Sequence, residues 1–262
     1  MELFHDFNLE SPEKAVKRLK RQAARLIEER DSLLYHSAKT LEAEYMSKIG
    51  YLQYELFALQ GHAMKTKRKI EFINALKRNN KPVDVDKIDR FLDREYRPFH
   101  QRMSSMAYEV VQARTMLSSP YLNPSDVEFL RTSYISLVEV LHPDLNPSAP
   151  SEHDVLWERA ADAYDACDLD MMRTVTELYG DSEKEELPTD PVQLEQERKR
   201  LLGIVRNLFN EIEKIRGDFP FSIAEALFDT SYISEQRKDI SDQIAETQAL
   251  CDKLSDELKS TL

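Results

Sequence analysis

Residues 129–147 read FLRTSYISLVEVLHPDLNP, an apolar helical pattern that runs straight into a turn with two prolines flanking an aspartate. Phe129 or Leu130, Ser133 or Tyr134, Leu137 and Leu141 recur at steps of three and four, so they share one helix face. The helix is expected to stop at His142, because Pro143 disfavours helical backbone in the residue before it. Upstream, Ser125 stands three residues before Glu128, the spacing of a capping box. Downstream, Leu156, Trp157, Ala160, Ala163, Tyr164 and Cys167 give a second apolar face. Leu169 to Tyr179 form a short third helix, with Gly180 placed as its C-cap. The turn between the first two is stiff: Pro143 fixes φ, and Asp144 is left projecting from a loop. Read without any kinship, His142 and Asp144 cap the helix end and hydrogen-bond the loop.

The rest of the chain points to the same fold class. Only 5 of 262 residues are glycine, while 32% are charged and 41% hydrophobic, a composition that favours amphipathic helices over tight hairpins. From Ser11, with Pro12 and Glu13 suited to a first turn, the pattern is helical to about Asn80. Within it Ile49, Leu52, Leu56, Leu59, Ala63, Ile70 and Ile73 follow a coiled-coil seam once Thr66 is counted, so the stretch needs a partner helix. Gly50 and Gly61 are the expected bends. After a turn at NNKPVD (79–84), Ile88, Leu92, Phe99, Met103, Met106, Val110, Ala113 and Leu117 form the stripe of a returning helix kinked at Pro98. Further on, Leu194, Leu201, Val205, Leu208, Ile212 and Ile215 step as a heptad. RGDFPFS (216–222) interrupts it, and Ile233, Ile240, Ile244, Cys251, Leu254 and Leu258 resume it. The expected organisation is all-α: an antiparallel coiled-coil hairpin over 1–118, a central helical domain over 119–180, an acidic linker over 181–190, and a second hairpin over 191–262.

Several function classes lack support in the residues. No apolar run reaches the length of a membrane span and the start, MELFHDFNLE, lacks the basic and apolar regions of a secretory signal, so a soluble cytoplasmic protein is expected. Cys167 and Cys251 form no C-x-x-C pair. His142, His153 and Asp144 do not match a metal-ligand spacing, and no nucleophile motif accompanies His142 and Asp144, so neither a metal, a cofactor nor catalysis is expected. Net charge is −12 but unevenly spread: +5 over residues 1–82, zero over 83–120, −9 over 121–180 and −8 over 181–262. That balance argues against a nucleic-acid partner, although Lys65, Lys67, Arg68 and Lys69 could meet phosphate.

A helix ending in His142-Pro143-Asp144, a loop carrying Asn146 and Pro147, and a following helix with Trp157 and the Ala163-Tyr164 pair together resemble the J domain of DnaJ-like co-chaperones. The resemblance covers about 60 residues, 121–180, with Tyr134 and Leu137 at core positions of its second helix and residues 169–180 as its fourth. It implies that exposed His142, Pro143 and Asp144, flanked by Arg131 and Asn146, contact a DnaK-type chaperone ATPase and stimulate its ATP hydrolysis. Pro143 would keep the loop in shape and Asp144 would make the decisive charged contact. The coiled-coil arms would then hold a client or scaffold protein, or pair in a homodimer. Two features depart from the family: the second helix offers only Arg131 against Glu128 and Glu139, where J domains carry a basic face, and no compact first helix stands just upstream, YEVV (108–111) lying within the preceding coiled-coil helix. The alternative is a coiled-coil interaction protein whose J-like domain no longer stimulates a chaperone.

Overall fold

The computed structural model describes residues 10–179 and 187–262. All their regular structure is helical, with no strand among them: α1 (Pro12–Ser32), α2 (Ala38–Tyr45), α3 (Tyr51–Arg78), α4 (Val85–Glu95), α5 (Arg97–Ser118), α6 (Pro124–Leu141), α7 (Glu152–Asp165), α8 (Leu169–Tyr179), α9 (Pro191–Gly217) and α10 (Thr230–Thr261). Wider π-helical turns, Leu33–Ser37 and Met46–Gly50, stand on either side of α2. The expected C-cap Gly180 and most of the expected linker, residues 181–186, lie outside the described residues, as does the start of the chain, residues 1–9.

Short polar residues set the helix starts, because their side chains satisfy amides that have no partner inside the helix. Ser11 accepts from the Lys14 amide, Asp84 from Lys87, Asp190 from Val192 and Asp229 from Ser231. At α6 the cap is Asn123, whose Oδ1 accepts from the Asp126 amide at 2.9 Å. Ser125 instead donates its hydroxyl to that same Asn123 oxygen, so the capping box expected at Ser125 and Glu128 is displaced by two residues. Pro124 explains the shift: it suits the first helical position and puts the cap one residue ahead of itself.

The chain divides into two compact units that cut across the expected segments: residues 1–39 with 120–222, and residues 40–119 with 223–262. In the first unit α1 is the central element. It runs parallel to α9, since Lys20 and Arg200 hold the same loop at one end while Glu29 and Arg30 meet Arg216 and Glu211 at the other, and antiparallel to α6, with Glu28 meeting Arg131 and Arg21 meeting Glu139. Val16, Leu19, Ala23, Ala24 and Ile27 pack one core with Tyr134, Leu137, Leu141, Ala160, Met172, Leu201 and Leu208. Burying the valine, leucine, isoleucine and methionine side chains among these stabilises by about 1.5–3 kcal/mol each.

In the second unit the coiled-coil seam is filled by the same chain. Ile49 and Leu52 pack with Ile240, and Ala63 and Ile70 with Cys251 and Leu254, so α3 and α10 run parallel. The expected hairpin of residues 191–262 is therefore replaced: α9 pairs with α1 and α10 with α3. A heptad states that a seam needs covering, and either seam satisfies the other equally well by spacing alone. On another side of α3, α4 folds back antiparallel, with Lys69 meeting Asp89 and Lys65 meeting Asp93, and α5 continues along it, with Phe99 against Gly61 and Phe57. The break in that returning segment falls at Tyr96, and Pro98 sits in the first turn of a new helix instead of kinking one. Gly61 makes no bend either: the Phe99 ring packs onto it, and an added Cβ would lie 1.9 Å from the ring carbon Cζ.

Candidate functional site

The turn after α6 is built on two buried anchors. His142 and Asn146 are only 6% and 5% exposed, and Leu145 between them is buried at 1%. The expectation of an exposed histidine is thus corrected: its ring lies 4.6 Å from the Trp157 ring of α7, on the apolar side of the loop. Pro143 and Asp144 alone in this group face outward.

Hydrogen bonds make the loop rigid. The Asp144 amide donates to His142 Nδ1 at 3.1 Å, which requires that ring nitrogen to be unprotonated. Burial pushes the His142 pKa down; Asp144 and Asp31 favour its cation and Arg30 opposes it, and burial prevails. The Leu145 and Asn146 amides both reach the His142 carbonyl at 3.0 Å. The Asn146 side chain donates to the carbonyls of Glu139 and His142, satisfying the end of α6.

Neighbouring helices then clamp the turn from outside the motif. Lys20 of α1 donates to Asn146 Oδ1 at 2.6 Å. Arg200 of α9 donates to the Asp144 carbonyl while Glu197 grips its guanidinium through two bonds of 2.7 and 2.6 Å. Sequence reasoning missed Lys20, Arg200 and Leu145. The one signal for Lys20 is its register: it lies four residues from both Val16 and Ala24, on the apolar edge of α1.

Behind the loop, α6 and α7 are tied to α1 by buried acids. The Tyr134 hydroxyl donates to Asp31 and the Tyr164 hydroxyl to Glu28, with the two phenol rings stacked at 3.9 Å. Burial first, then the adjoining carboxylates, raise both tyrosine pKa values far above the ordinary phenol range. Arg131, expected to face a partner, is 57% exposed along its side chain but bonds Glu28 at 3.2 Å, and that carboxylate raises its pKa. Its charge is partly spent inside the molecule.

In the second unit an open groove of about 750 Å³ lies between α3, α5 and α10, lined by Tyr51, Tyr54, Leu59, Val110, Arg114 and Ile244 among others. Among the described residues no three His, Cys, Asp or Glu side chains converge as a metal site, and no helix is long and apolar enough to cross a membrane. Comparison with protein-family models, with curated proteins and with solved structures found no match for this chain.

Proposed function

We propose that the first unit is a J-like module that presents Pro143 and Asp144 to a DnaK-type chaperone ATPase, and that the second unit holds a client or scaffold protein. The observation that carries this reading is the contrast within four residues: Pro143 and Asp144 are exposed while His142 and Leu145 on either side are buried. A dipeptide fixed between two anchors loses little freedom on binding, so its contacts are not offset by an ordering cost. His142 acts through the loop as a positioning residue, and Asp144 offers the charge-assisted contact. The ATP chemistry belongs to the partner.

The test is steady-state ATP hydrolysis by a DnaK-type chaperone, with the wild-type chain and with the Asp144→Asn and His142→Gln variants. Stimulation by wild type that disappears in Asp144→Asn, a surface change that leaves the core intact, supports the reading. Absence of stimulation across a panel of such chaperones would sink it. A second reading, an interaction protein with a silent J-like fold, is favoured by the engagement of Arg131 with Glu28, which weakens the cationic face of α6. It predicts that Asp144→Asn leaves every partner captured by the chain unchanged.

A further inference from the structure

Residues 14–25 of α1 contain six cations, Lys14, Lys17, Arg18, Lys20, Arg21 and Arg25, and no acidic residue. At ~100° per residue five of them, all except Lys20, fall within an arc of about 100°. All five are exposed, and the opposite face holds the buried Val16, Leu19, Ala23 and Ile27. Lys20 turns aside from this strip to bond Asn146 in the loop, which places Lys17 and Arg21, three residues before and one after it, at the loop end of the unit. Arg18 meets Glu10, and Arg21 reaches Glu139 of α6 at 3.8 Å. Lys14, Lys17 and Arg25 make no ion pair among the described residues.

We propose that this strip on α1 supplies the cationic half of the partner surface that α6 lacks, and that it meets an acidic patch on the same chaperone ATPase that reads Asp144; the inference rests on the function proposed above. The strip is a local exception on an acidic body. Residues 1–39 and 120–222 carry 18 cationic and 29 anionic side chains, net −11. An extended polyanion such as nucleic acid or an anionic bilayer would feel that whole field over distances comparable with the Debye length, about 10 Å at 0.1 M salt. A confined acidic patch on a folded protein touches only the strip. Exposed Asp144 beside the loop end also repels a continuous phosphate chain, while it suits a partner surface with an acidic region next to a cationic one.

The test titrates the full chain into a DnaK-type chaperone and reads ATP hydrolysis at two salt concentrations, using wild type, Lys17→Glu/Arg25→Glu and Asp144→Asn. Both reversed positions are exposed and make no ion pair among the described residues, and circular dichroism checks that the helical fold is retained. Expected is a half-maximal concentration about tenfold higher for the double reversal at low salt, with a shallower salt dependence than wild type. Asp144→Asn instead abolishes stimulation at every concentration. A double reversal with the same half-maximal concentration and the same salt slope as wild type overturns the strip while leaving the loop reading intact. A wild-type chain that never stimulates overturns both. A Lys67→Glu control in the second unit should behave as wild type; an equal loss there would reduce the effect to net charge and overturn the assignment to α1.

Discussion

The Tyr134 hydroxyl donates a 2.7 Å hydrogen bond to Asp31, and neither residue is more than 2% exposed. This bond joins α6, which carries the loop, to α1, which carries Lys20, so the two halves of the clamp are held in register by a buried polar pair. Removing only the donor leaves a buried carboxylate with Arg30 as its remaining charge partner. Tyr134→Phe should therefore cost about 1–3 kcal/mol, more than the ring's packing would suggest, since the ring is kept. Chemical denaturation checks the value. A loss smaller than about 0.5 kcal/mol would show that Asp31 is satisfied without the tyrosine.

The clamp itself can be loosened without touching the core. Lys20→Met and Arg200→Met keep most of the aliphatic stem and delete the bond each makes to the loop, to the Asn146 side chain and the Asp144 carbonyl, Arg200→Met also releasing Glu197. Each bond is worth ~0.5–1.5 kcal/mol locally, so hydrogen exchange at the Leu145 and Asn146 amides should accelerate about two- to tenfold. Exchange deep in α6, at Leu137 for example, should be unaffected. Uniform acceleration along α6 would mean that the loop and helix open together.

How far the residues alone disclosed this arrangement depends on the kind of information each carries. Seam positions were legible: Ile49, Leu52, Ala63, Ile70 and Ile73 are all buried, because helical spacing reports which face must leave water. Partner choice was not, since Leu201 and Ile240 sit on equally good heptads and only their packing assigns one to α1 and the other to α3. The end of α6 was legible from Pro143, whereas the burial of His142 was not. A tripeptide specifies backbone, and the Trp157 ring that covers the imidazole comes from another helix. Lys20 and Arg200 lie 126 and 56 residues from the loop atoms they hold, a separation that no local pattern encodes.

Two glycines in ordinary helix should respond to alanine with opposite signs. Gly203 of α9 has no atom within 4 Å of where a Cβ would stand, so Gly203→Ala gains helix propensity and should stabilise by about 0.5–1 kcal/mol. Gly61 gains the same propensity but drives its methyl into Phe99, and the strain should leave Gly61→Ala net destabilised by about 1–2 kcal/mol. Because Phe99 also stacks on Phe57 at 4.4 Å, its ring has little room to retreat. The double variant Gly61→Ala/Phe99→Leu should recover part of the loss. Thermal melts of the three variants decide it, and a stabilising Gly61→Ala would mean the ring swings away.

Acid should weaken the first unit before it weakens the carboxylate pairs. His142 and His36 both have pKa values lowered by burial, below the ordinary histidine value near 6.5. Between that value and the lower folded ones the unfolded chain binds protons that the folded chain resists. Stability is then flat above about pH 6.5 and falls as the pH drops below it, levelling once the folded histidines also protonate. For His142 the proton has a local consequence too: a protonated Nδ1 can no longer accept from the Asp144 amide, so the exposed pair loses its fixed geometry. Urea midpoints measured from pH 7.5 to 5.0 should show the decline, and His142→Leu should make it shallower while His36 retains its own share. A wild-type midpoint that holds steady or rises over that range would contradict the burial of both rings as neutral groups.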